Sequence, residues 1–179
     1  MIFLVKAKTG CEYKDIQQCN NVENIIQKGK FPDNEADVKD ACEKLYAGGK
    51  CLKEKADQCL SPQNAQLATQ LLLKEKEVLD KACGPEMAKF IDYAKTCFNK
   101  DGVLKGLKDI HTRYVDIVEA AYGFDKSTYK QSYCCSQLYS RDNIKDLNTK
   151  QCTAAQADYL DNLLKNSVKL LKSRIQHTN

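Results

Sequence analysis

Ten of the 179 residues are cysteine, and sulfur chemistry is what this sequence is best equipped for. Four of the ten repeat one spacing: Cys11 and Cys19, then Cys51 and Cys59, with seven residues inside each pair. The cross-pairings Cys11 with Cys59 and Cys19 with Cys51 are both symmetric about Glu35, beside the breaker run Phe31-Pro32-Asp33-Asn34. Facing residues of an antiparallel helical hairpin have a constant index sum, so the spacing predicts two helices stapled twice. Eight residues advance a helix by about 12 Å and turn the side chain by about 80°, which keeps both cysteines of a pair on one inward face. Bridging then needs the Cα atoms within about 4.4–6.8 Å. Zinc is the competing use of clustered cysteines, but its half-sites hold ligands about two to four residues apart. No two cysteines here have that spacing.

The remaining six are Cys42, Cys83, Cys97, Cys134, Cys135 and Cys152. Among them 15 connectivities are possible. Cys42 lies half a turn round its helix from Cys51, so it points away from the first hairpin and needs a partner later in the chain. Cys134 and Cys135 diverge by about 100° in a helix, and are expected to reach two different elements. The favoured arrangement joins Cys42 to Cys135 and Cys83 to Cys134, which leaves Cys97 with Cys152.

Histidine, the side chain best placed to move protons near neutral pH, occurs twice. His111 flanks an apolar helical stripe beside Ile110, where the expectation is a half-buried ring bonded to Asp109 or Asp116. His177 falls in the last three residues. No Ser or Cys stands in a nucleophile elbow, and no glycine-rich phosphate loop occurs. The run Tyr133-Cys134-Cys135-Ser136-Gln137-Leu138-Tyr139 resembles the paired-cysteine helix of secreted phospholipases A2. Gln137-Leu138 stands where their His-Asp dyad would follow, however, and their glycine-rich calcium loop is missing. Acidic pairs such as Glu75/Glu77 and Asp158/Asp161 lie among lysines and read as solvated charge. The expectation is a protein that is not an enzyme, with no catalytic residue, metal or cofactor.

Helices must position the cysteines. Only three prolines and eight glycines punctuate the chain, and no alternating β-branched run marks a strand. A first helix is predicted over Glu12 to Lys28, with Ile16, Cys19, Val22 and Ile26 on one face and Gly29 beyond its end. A second opens near Asn34 and runs to about Cys59, weakened at Gly48-Gly49. Ser61 as N-cap and Pro62 as first helical residue start a third. Its stripe of Leu67, Leu71, Leu72, Val78, Leu79 and Ala82 ends at Cys83-Gly84. A fourth begins near Pro85 and carries Met87, Phe90, Ile91 and Ala94 up to Cys97. Asp101 is expected to cap a fifth, with Val103, Leu107, Ile110, Tyr114, Ile117, Val118 and Ala121 buried and Gly123 at its end. A short sixth spans Ser127 to Tyr139, followed by a polar connector from Asn143 to Gln151. The last helix has Thr153 and Gln156 as a capping box, then Leu160, Leu164, Val168, Leu171 and Ile175. The predicted fold class is all-α, a single disulfide-stapled bundle of about six to seven helices that opens with the doubly stapled hairpin. Residues 11–179 read as one domain.

A chain of this length can bury a core unaided. Ten cysteines are many for a reducing compartment, so the protein is expected to be secreted and extracellular. Met1-Ile2-Phe3-Leu4-Val5-Lys6-Ala7 looks like the tail of a secretion signal, which makes residues 1–10 a signal remnant or a frayed terminus. No apolar run reaches the roughly 18 residues of a membrane span. The net charge of +4 is spread over 28 basic and 24 acidic residues, and only Arg113, Arg141 and Arg174 are arginines. Nucleic-acid binders cluster Arg and Lys among aromatics, so a nucleic-acid partner is not expected. In the last helix Lys165, Lys169 and Lys172 lie opposite Leu163, Leu170 and Leu171, without the Trp or Phe anchors of an interfacial helix.

The run Cys42-x8-Cys51-Leu52-x6-Cys59-Leu60, Cys83 after a leucine-rich helix, and Cys134-Cys135 followed by Cys152 resemble a group of secreted invertebrate proteins. These are cysteine-rich helical domains of unknown function found in arachnids and, more distantly, in nematodes. The resemblance extends from Cys11 to Cys152 and implies secretion and an all-helical fold, with no catalytic residues. Arthropod odorant-binding proteins, helical carriers of small apolar ligands, share the eight residues between Cys42 and Cys51 but not their three-residue spacing. The expected function is that of a secreted non-enzymatic binding or structural protein that engages an extracellular protein. The alternative is a carrier of a small hydrophobic ligand, lined by Leu107, Ile110, Tyr114, Ile117, Leu164 and Val168.

Overall fold

The structure, a computed structural model, describes residues 10–19, 29–122, 126–159, 161 and 162. Among the described residues every regular element is helical and no strand occurs. Residues 1–10, apart from Gly10, lie outside this set. So do Val22 and Ile26 of the predicted first helix, Gly123, Leu160, and the last helix from Leu163 onward, with its lysines and His177.

Helix α1 (Tyr13–Gln17) is the described part of the predicted first helix. Helix α2 (Glu35–Cys59) starts where Asn34 Oδ1 accepts the Asp37 N–H at 3.0 Å. Glu35 and Asp37 occupy the first turn, where the helix dipole favours negative charge. Gly48-Gly49 do not weaken α2 into two pieces. Gly48 is buried, and tertiary packing there outweighs the roughly 1 kcal/mol that a glycine costs a helix.

Helix α3 (Pro62–Ala82) begins on the fixed φ of Pro62. Ser61 stands at the N-cap position without a side-chain cap bond, and only its carbonyl takes part, accepting the Ala65 N–H at 2.8 Å. Gly84 then lets the chain turn close behind α3: a Cβ there would lie 2.7 Å from the Asp80 carbonyl oxygen. Helix α4 (Met87–Tyr93) starts two residues after Pro85. It runs into a π-helical turn over Ala94–Phe98, closed by the Asn99 N–H on the Ala94 carbonyl at 3.0 Å.

Helix α5 (Asp101–Tyr122) includes Asp101 in its first turn. The residue that accepts the opening bonds is Lys100, whose carbonyl takes the N–H groups of Val103 and Leu104, both at 2.9 Å. Asp101 therefore helps through its charge at the positive end of the helix, not as the cap. Helix α6 runs unbroken from Lys126 to Gln151 and absorbs the predicted connector. The connector's polar side chains turn back onto carbonyls four residues earlier: Asn143 on Tyr139, Asn148 on Ile144 and Thr149 on Lys145, at 2.7–2.8 Å. Bonded in this way they satisfy themselves inside a helix without breaking it. Thr153 and Gln156 then form the capping box, with Thr153 N–H on Gln156 Oε1 at 3.0 Å and Gln156 N–H on Thr153 Oγ1 at 3.4 Å.

Helices α5 and α6 make the most extensive contact among the described elements, followed by α2 and α3, while α4 touches both α2 and α3. The buried centre is Ala94, Cys97, Phe98 and Val103. Phe31, Phe90, Tyr93, Leu107, Leu147 and Cys152 pack round it. Phe98 meets three rings, with centroids 6.0 Å from Phe31, 6.2 Å from Phe90 and 6.4 Å from Tyr93. Such tilted and edge-on aromatic pairs add about 0.5–1.5 kcal/mol each beyond area burial.

Candidate functional site

Sulfur ties the elements together. Cys11 bonds Cys59 and Cys19 bonds Cys51, with Cα separations of 5.4 and 5.5 Å, so two bridges join the region of α1 to α2. Cys97 in the π turn bonds Cys152 just beyond α6, at a Cα separation of 5.5 Å. The expected ties from Cys42 to Cys135 and from Cys83 to Cys134 are not made: Cys42 and Cys83 bond each other, Cα to Cα 6.1 Å. The reason is the second hairpin. Helix α3 folds back along α2, which brings its C-terminal end to the face of α2 turned away from Cys51. Tyr46 and Asp80, one turn further along the same pair, confirm the register, with the Tyr46 hydroxyl donating to Asp80 Oδ1 at 2.8 Å. Cys135 is a free, exposed thiol. The side chain of Cys134 lies outside the described set.

A second cluster surrounds Tyr159, which the sequence did not single out. Its ring stands edge-on to Tyr93 at 5.2 Å, and Lys89 Nζ lies over both rings, 4.7 Å from Tyr159 and 5.7 Å from Tyr93. Burial and, after it, the neighbouring Glu86 carboxylate push the Tyr159 hydroxyl well above the ordinary tyrosine range. No hydrogen bond of good geometry reaches that oxygen from the Glu86 side. Gln156, buried beside it, donates to Thr96 Oγ1 at 2.7 Å and so fixes the capping box against the π turn. An uncharged phenol under a lysine is a packing joint and offers no activated group at neutral pH.

The expected ligand lining is only partly within view. Leu107 packs into the Phe98 centre, Ile110 and Tyr114 are half-buried, and Ile117 is exposed, while Leu164 and Val168 lie outside the described residues. The described depression lies elsewhere, an open hollow of about 450 Å³ at the α2–α3 corner, lined by Asp57, Leu60, Pro62, Ala65, Gln66 and Thr69. Asp57 is already paired with Lys53 at 2.7 Å. His111 is half-buried and stacks on Tyr114, with centroids 6.4 Å apart.

Of the acidic pairs, Glu75 and Glu77 are exposed, and Glu77 pairs with Lys74. Asp158 is exposed too, but Asp161 is not solvated charge. It is 18% exposed and holds Arg141 Nη2 at 3.0 Å, with Lys145 at 3.6 Å. Partial burial opposes its ionisation, yet the Arg141 hydrogen bond and the two cations together hold its carboxyl below the usual range. Arg141 and Asp161 thus clamp α6 to the segment after Thr153.

Among the described residues no group of three or more His, Cys, Asp or Glu could hold a metal ion. No helix among them is long and apolar enough to cross a membrane. Compared with protein-family models, curated proteins and solved structures, the chain matches none.

Proposed function

We propose that the chain is a secreted, non-enzymatic binding or structural protein, a single disulfide-stapled helical bundle whose surface engages another extracellular protein. The observation that carries this reading is the covalent network. Four bridges with sequence separations of 48, 32, 41 and 55 fix helix against helix along the described chain. Each contributes about 2–4 kcal/mol, mainly by constraining the unfolded chain. A domain of this size does not need such help to fold, and the chemistry is that of oxidising surroundings.

Two further observations support engagement through the surface. The aromatic centre is filled, with Phe98 at 2% exposure, and the described hollow is open and partly polar. Leu73 on α3, at 55% exposure, is an apolar side chain that a partner could cover. The test has two arms. Native protein is extracted and searched for bound lipid by mass spectrometry, and the purified protein is titrated with a fluorescent fatty acid. Neither bound lipid nor saturable uptake is expected, and saturable uptake with displacement by unlabelled fatty acid would establish the carrier instead. Alkylation of the untreated protein should find at most two thiols. A fully reduced chain would overturn the extracellular reading.

A further inference from the structure

We draw no further inference here: the strongest candidate, the open hollow at the α2–α3 corner lined by Asp57, Leu60, Pro62 and Ala65, carries none, because Asp57 is already paired with Lys53 and nothing in the structure shows what covers the hollow.

Discussion

Replacing Gly106 with alanine probes how closely α5 and α6 approach. The helix alone would gain about 1 kcal/mol, because alanine is the better helix former by that amount. Against this gain, the new Cβ would lie 2.8 Å from both methyl carbons of Leu147. Relaxed carbon–carbon contacts sit at about 3.5–4.0 Å, so the overlap is large. Leu147 can yield only by swinging both methyls aside, which gives up part of its packing against the Phe98 centre. Overpacking of this kind costs about 1–3 kcal/mol, which exceeds the helical gain at most of that range. Gly106→Ala is therefore expected to be net destabilising by about 1 kcal/mol. In a Leu147→Ala background the obstacle is gone, and the same substitution should stabilise by about 1 kcal/mol. Urea unfolding followed by circular dichroism on the parent, both single variants and the double variant measures the coupling directly. A stabilising Gly106→Ala in the parent, or an equal effect in both backgrounds, would refute the close approach.

Gly49 gives the opposite expectation. A Cβ there meets nothing within 4 Å, so Gly49→Ala should raise the urea midpoint by the equivalent of about 0.5–1 kcal/mol, and a drop would show that α2 is strained at that point. Asn99 holds Phe31 by two bonds, accepting its N–H at 2.6 Å and donating to its carbonyl at 3.1 Å. Asn99→Ala should cost about 1–3 kcal/mol by thermal melting, and an unchanged melting temperature would mean that water replaces the clasp. Folding lowers the Asp161 pKa, so its contribution is present above the unfolded value, near 4, and is lost as pH falls through the folded value. Asp161→Asn should cost about 1–3 kcal/mol at neutral pH and flatten the acid limb of the stability–pH curve, while an unchanged acid limb would exclude the pair from stability. Serine at both Cys97 and Cys152 should cost about 2–4 kcal/mol, with a loss confined to one end of the chain in hydrogen exchange as the contrary result.

Several joints were open to reading from local signals. Asn34, Pro62 and the Thr153–Gln156 box mark helix starts with short-range chemistry that needs no knowledge of the fold. The repeated cysteine spacing carried the Cys11–Cys59 and Cys19–Cys51 pairings in the same way. The Cys42–Cys83 bond was within reach of that logic as well. Cys42 with Cys83 and Tyr46 with Asp80 have nearly equal index sums, as a second hairpin turning at Leu60-Ser61 requires. The adjacent Cys134 and Cys135 obscure it, because in the sequence alone they are equally available partners for Cys42 and Cys83. The continuity of α6 was concealed by composition, because Asn143, Asn148 and Thr149 look like loop residues until their bonds to the preceding turn are seen. The Asn99 clasp on Phe31 and the Arg141–Asp161 clamp join residues far apart in sequence and of ordinary type, and no spacing announces them.

The order of the bridges has a mechanical consequence. Cys11–Cys59, Cys19–Cys51 and Cys42–Cys83 interlock, whereas Cys97–Cys152 closes a ring of its own. Between Cys83 and Cys97 the backbone of α4 and its flanks is the sole covalent thread joining two cystine-bounded halves. Under tension that thread can pay out to about 45 Å, while each ring resists stretching beyond its sulfur links. A protease nick at Lys89 would sever the chain into two pieces without any reductant, whereas a nick inside either ring would leave the pieces tethered.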